Sequence, residues 1–191
     1  MKDAPPFETL RICTQTGATG WTYAQKVAGV PARGKVRCSL GEFDLEDIGA
    51  YAHHDFTAGY LRPETSWYWA CLSGRAASGE VIGFNLSSGV NESGVTENCL
   101  WCDGRLIKVD SVLLECDEDD LDRPWDINSH DGAVALTFTP LGAYRAKRNL
   151  VFAGNNFDQL FGKFNGVIRC GEQEIDVMEM GGFAERQYLK W

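Results

Sequence analysis

Two carboxylates, one histidine and a group of tryptophans are the residues in this chain whose types and spacing could do chemistry. Asp55 ends the run His53-His54-Asp55. In an extended chain His53 and Asp55 share a face while His54 takes the other, so the two histidines cannot chelate together. His53 and Asp55 could act as an acid–base pair if they faced a cavity, or be solvated side chains of a turn. Glu97 precedes Cys99-Leu100-Trp101, and alternation puts it on the face of Trp101. A carboxylate on an aromatic face is costly unless paired. It is therefore either hydrogen-bonded for structure or an acid held protonated. Arg62 is the cation expected to pair with Asp55 or Glu97 and keep a buried carboxylate ionised. Trp67 and Trp69 project the same way, with Tyr60 before them and Trp101 on another strand. Such walls suit a flat or greasy ligand, and they equally make ordinary core. The candidates are thus Asp55 and Glu97 for catalysis, and His53, Tyr60, Arg62, Trp67, Trp69, Asn85 and Trp101 for ligand contact. Glu185 is a weaker candidate of the same kind.

Other signatures exclude more than they suggest. Cys99 and Cys102 form a C-x-x-C, but residues three apart on a strand point to opposite faces, and no second pair exists. No metal and no cofactor is expected. Phosphate-cradling glycine loops and the Gly-x-Ser-x-Gly elbow are absent. The net charge is −9, and the only basic cluster is Arg145, Lys147 and Arg148. That is too little to replace counterions along a nucleic acid or to hold an anionic membrane. No apolar run approaches the ~20 residues that span a bilayer. The start of the chain has no secretory pattern, and the seven cysteines are odd in number. A cytoplasmic protein with reduced, buried thiols is expected.

The elements that must position these residues read as strands. No stretch keeps a helical apolar face for three turns, and the best helical candidate is the short acidic piece from Glu42 to Ile48. Thr65 to Leu72 is apolar on both faces, as a central strand requires. Ile82, Phe84 and Leu86 alternate in the next strand. Asp103-Gly104 and Asp131-Gly132 sit between strand-like runs, where a tight turn needs φ > 0. A third hairpin is expected at Gly171-Glu172, joining Gly166–Cys170 to Gln173–Met178. Consecutive hairpins make a meander, and a long meander removes its edges by closing. An all-β, antiparallel, lipocalin-like barrel with few short helices is the expected fold. It would occupy residues 36–191, with residues 1–35 as an arm or the remnant of a preceding module.

Several strings together resemble a known family. They are DFTAGYLRPETSWYWA (Asp55 to Ala70), GFNLSSG (Gly83 to Gly89), ENCLWCDGRL (Glu97 to Leu106) and WDINSHDGAVALTFTP (Trp125 to Pro140). FDQLFGKFNG (Phe157 to Gly166) and the terminal stretch from Gly182 to Trp191, with Glu185 inside, complete the series. It is similar, from about Gly20 onward, to domain of unknown function 2804. That family resembles the lipocalin-like superfamily of AttH-type proteins and carotenoid 1,2-hydratases. The resemblance implies a β-barrel, and it implies that a further β module precedes this one in the usual family length. It also implies an acid–His cluster near the C-terminus, where this chain has Arg186 and Gln187 after Glu185.

Three functions are expected. The first is binding of a hydrophobic small molecule in an aromatic-lined cavity. The second is a hydratase or cyclase whose carboxylic acid donates a proton to an alkene while tryptophan faces stabilise the cation. The third is a scaffold that uses an open sheet edge.

Overall fold

Period-two alternation punctuated by glycine is satisfied by strands, and strands are what the chain forms. The computed structural model describes residues 7–90, 94–150 and 152–191. Its strands are β1 (Leu10–Thr16), β2 (Gly20–Pro31), β3 (Lys35–Cys38), β4 (Gly41–Asp44), β5 (Tyr51–Gly59), β6 (Glu64–Arg75) and β7 (Val81–Ser88). They continue as β8 (Cys99–Cys102), β9 (Arg105–Lys108), β10 (Val112–Glu115), β11 (Trp125–Ser129), β12 (Val134–Asn149), β13 (Gly154–Cys170) and β14 (Gln173–Lys190). Among the described residues there is no helix long and apolar enough to cross a membrane.

Nine strands form one curled antiparallel sheet in the order β10-β11-β12-β13-β14-β6-β7-β8-β9. The fold is all-β, an antiparallel half-barrel consistent with the lipocalin-like type. A second sheet, β1-β2-β5, lies across it, and β3 and β4 form a separate hairpin. In the second sheet β2 pairs with β5 from Thr22–Gly59 to Pro31–Tyr51. The expected turns are where the sequence puts them. Asp103 and Gly104 take φ of 48° and 83° between β8 and β9. The turns at Asp131-Gly132 and Gly171-Glu172 join β11 to β12 and β13 to β14.

Long strands must bend to curl, and glycines supply the bend. Gly162 pairs with Gly182 across β13 and β14. A Cβ on Gly182 would lie 2.4 Å from the carbonyl oxygen of Cys71 and 2.7 Å from the Phe164 ring. The ring occupies the room a side chain would need, as aromatic cover of a strand glycine does.

Inside the curl lies the main core. Ala70, Leu72, Ile82, Phe84, Leu86, Leu100, Trp125, Ile127, Phe138, Leu160 and Phe164 are buried there. Phe84 meets Phe164 edge-on at 5.0 Å between centroids. The outer face is covered in part by the three-stranded sheet. β2 can approach because Gly83 has no side chain: a Cβ there would lie 2.6 Å from Ala28 Cβ and 2.7 Å from the Gly29 nitrogen. Ser73 Oγ pins the contact, accepting from Gly29 N at 2.9 Å and donating to Ala52 O at 3.2 Å.

Two expectations are corrected. The acidic piece at Glu42–Ile48 is not a helix. β4 runs through Asp44, and a single turn comes after it, with Asp44 Oδ1 accepting from Glu46 N at 3.0 Å. All seven cysteines are free, but Cys13 and Cys38 are exposed rather than buried. Cys99 and Cys102 do face opposite sides of the sheet, one packed with Trp101 and Leu10, the other against the main core.

Candidate functional site

Register fixes which side chains share the outer face. Glu185 pairs with Trp69 on one side and Gln159 on the other, and Trp67 pairs with Gln187. Trp69 also pairs with Ser87, and Cys71 with Asn85. Directly opposed residues of an antiparallel pair point the same way. Trp67, Trp69, Asn85, Gln159 and Glu185 therefore rise from one face, opposite the buried phenylalanines. Over them pass β2 and β5, which bring Lys26 and Asp55.

Lys26 is the centre of the arrangement. Its Nζ donates to Asp55 Oδ2 at 2.9 Å and to Glu97 Oε1 at 2.8 Å. The side chains of Lys26 and Glu97 are 5% and 3% exposed, whereas Asp55 is 36% exposed and stands at the rim. Burial alone would push the ammonium down, but Glu97 and Asp55 beside it hold it above the ordinary lysine value. Lys26 is thus a fixed cation and not a neutral amine. Removing it would break the buried ion pair with Glu97, a change that typically costs about 3–5 kcal/mol.

The two indoles are tied at their nitrogens. Trp67 Nε1 donates to Glu185 Oε1 at 2.9 Å, and Trp69 Nε1 donates to Asn85 Oδ1 at 2.8 Å. Asn85, fully buried, passes the connection on by donating from Nδ2 to the Glu97 carbonyl at 3.1 Å. Gln159 Nε2 donates to Glu185 Oε2 at 3.2 Å. Burial pushes the Glu185 carboxyl above its ordinary value; the bonds from Trp67 and Gln159 pull it part of the way back, and the charge of Asp55 raises it further. Lys26 Nζ lies 6.0 Å from the centre of the Trp69 ring.

These groups enclose a cavity of about 360 Å³ between the two sheets. Lys26, Asp55, Thr57, Leu61, Trp67, Trp69, Val90, Glu97, Gln159 and Glu185 line it. Its size is that of a small-molecule site, and its few convergent polar groups on an aromatic wall are the usual pattern of one.

The structure gathers Asp55, Glu97, Trp67 and Trp69 as the sequence grouped them, and sets Asn85 behind Trp69. His53 stands edge-on to Trp69 at 5.5 Å between ring centres. Neither of its ring nitrogens has a hydrogen-bond partner, and burial, followed by the charge of Lys26, pushes its pKa down to about 4. It makes no hydrogen bond to Asp55, and it lines a neighbouring cavity with Tyr51, Cys71 and Phe183 instead of this one. Arg62 is exposed, and the pairing expected of it is made by Lys26 instead. Tyr60 is 67% exposed and stacks edge-on with Trp21, away from the cavity lining. Trp101 is fully buried, but it packs with Leu10, Ala28 and Cys99 and donates to Glu8 O at 2.7 Å. It lies under β1 and β2, outside the cavity.

Lys26 and Gln159 are polar side chains of the cavity lining that residue typing missed. A lysine on a strand face with Thr22, Ala24 and Ala28 was the available signal, since small neighbours leave room for another sheet to close over it.

A family profile described as domain of unknown function (DUF2804) matches residues 1–191. The chain belongs to this family. The match covers the segment before Gly20 as well as the strings quoted above, so β1, β2 and Lys26 fall within the DUF2804 region. No curated protein and no solved structure shows a significant match. The geometry of the site is therefore the ground for any reading of function within the family.

Proposed function

We propose that this protein binds a small molecule with a substantial apolar part in the cavity between the two sheets. The observation that carries the reading is the wall itself. Two tryptophans are held by their own N–H groups to Glu185 and Asn85, so their rings are fixed before any ligand arrives. A preorganised aromatic surface loses little entropy on binding. Asp55, Thr57 and Leu61 stand at the side of the cavity formed by β5 and the turn after it, where a ligand would enter. The expected lipocalin-like analogy with AttH-type proteins and carotenoid hydratases supports binding of an apolar compound, with the difference that the site lies outside the curl. Mass spectrometry under native conditions, on protein taken from its own cells, tests the reading. A small molecule should accompany the wild type and be lost from a Thr57→Trp variant, whose new side chain blocks the opening. A protein that arrives empty in both forms, and binds no apolar compound from a mixed library, contradicts it.

A second reading is favoured by one observation. Glu185 is a carboxyl raised by burial and set beside an indole, the environment that keeps an acid protonated for donation. In a hydratase or cyclase Glu185 would be the proton donor, in place of Asp55 and Glu97, which are engaged with Lys26. Turnover of the bound compound by wild type, and its loss in Glu185→Gln with binding retained, would establish that reading.

A further inference from the structure

We propose that the ligand of the inter-sheet cavity carries a cationic nitrogen, a protonated amine or a quaternary ammonium, on its apolar body. The proposal rests on the cavity being the binding site, and it names the class of compound the site takes. Carboxylates predominate among the described residues of the lining, with Asp55, Glu97 and Glu185 beside the ammonium of Lys26. Lys26 makes its ion pairs with Asp55 and Glu97. Glu185 adds a further carboxylate whose hydrogen bonds come from the neutral donors Trp67 and Gln159. Both of its oxygens accept, and lone pairs remain for another donor.

The aromatic wall points to the same class. With both indole N–H groups engaged in the framework, Trp67 and Trp69 offer a ligand their π systems and carbon edges, not donors. The Trp69 ring already faces one cation, Lys26. A ring quadrupole attracts a desolvated cation and does nothing for an anion. An anionic ligand would meet three carboxylates in a low-dielectric space, and a neutral one would leave the carboxylate of Glu185 with only the hydrogen bonds of Trp67 and Gln159. An ammonium head gives Glu185 a charged partner, while its body lies on Trp67, Leu61 and Val90.

The test uses three probes that share a 2-phenylethyl body: 2-phenylethylammonium, 2-phenylethanol and 3-phenylpropanoate. Calorimetry and ligand-observed nuclear magnetic resonance with the whole chain near neutral pH give their affinities. The ammonium should bind about tenfold or more tighter than the alcohol, the gain expected of a desolvated cation–π and charge contact, and the carboxylate weakest of all. Glu185→Gln should take away most of that margin, so that the ammonium and the alcohol bind the variant with affinities within about twofold of each other. If the alcohol or the carboxylate binds as well as the ammonium and perturbs Trp67 and Trp69, the cavity is a binding site and the charge proposal is wrong. If none of the three perturbs either tryptophan up to its solubility limit, the binding reading falls with it. Because the comparison among probes is made on wild type, it holds even if the variant fails to fold.

Discussion

The inner and outer faces of the nine-stranded sheet are made by the same strands and do opposite things. On β6, Ala70 and Leu72 point into the curl while Trp67 and Trp69 point out. On β14, Ala184 points in and Glu185 out. The inner face is apolar around Phe84, Phe138 and Phe164, whose rings fill the space beside glycines that let the strands bend, and it turns polar toward one end, where Arg186 pairs with Asp158 and Glu118. The outer face is polar and aromatic, and it is buried because a second sheet closes over it at Gly83. The difference teaches that a barrel-like fold can offer space on both faces of its sheet. Here phenylalanines fill the middle of the curl, a polar cavity of about 560 Å³ opens at one end beside Tyr68, Asp158 and Arg186, and the aromatic cavity proposed as the site lies between the sheets.

The largest effect that separates the faces should come from the inner one. Phe164→Ala removes a ring in contact with both Phe84 and Phe138. It should cost about 3–5 kcal/mol in a denaturant melt and leave the affinity for a cavity ligand close to wild type at temperatures where the variant is folded. If affinity and stability were lost in proportion, the faces would not be independent.

Next in size is Lys26→Met, which breaks the buried ion pair of Lys26 with Glu97. It should destabilise by about 3–5 kcal/mol, and the triple change Lys26→Met, Asp55→Asn, Glu97→Gln should recover much of that loss, because the penalty belongs to the broken ion pair. A triple variant no better than the single one would mean that Lys26 acts by packing.

His53 gives an intermediate effect that depends on pH. Its folded-state pKa lies below the unfolded one, at about 4 against 6.5. The neutral ring therefore contributes stability that is fully present above about pH 6.5 and is lost as the pH falls through about 4. The shift corresponds to roughly 3 kcal/mol. His53→Phe should flatten the stability profile across that window, as followed by urea melts. Glu185 works with the opposite sign: its raised pKa means that its contribution weakens as the pH rises from the unfolded carboxyl value through the folded one.

The smallest expected effect is that of Arg62→Ala, within about 0.5 kcal/mol, as for an exposed side chain away from any buried network. A loss of several kcal/mol would return Arg62 to the role that sequence proximity suggested for it.

Particular residues decide how much of this was legible. The hairpins were, because Asp103-Gly104 and Asp131-Gly132 carry their turn chemistry in the two residues themselves. β13 and β14 were legible only at the ends that meet at Gly171. Their farther halves put Gln159, Asn155, Glu185 and Gln187 on the outer face, and such residues do not announce a buried strand. The tryptophans and carboxylates of the site could be named by type, and alternation placed Trp67 and Trp69 together. Alternation gives a face, however, and not a position along it. Trp101 points to the same side as Trp69, yet β1 and β2 cover it. Lys26 was hidden because its burial depends on Gly83, distant in the chain, and a partner chosen by nearness in sequence was Arg62.

The central claim is that ligands enter between the sheets and not within the curl. The chain has six tryptophans, whose indole N–H signals can be resolved and assigned one by one with tryptophan-to-phenylalanine variants. Titration with 2-phenylethylammonium should shift the signals of Trp67 and Trp69, and leave those of Trp125 inside the curl and Trp101 under β1 and β2 in place. A shift at Trp125 with Trp67 and Trp69 unmoved would place the ligand on the inner face and contradict the account.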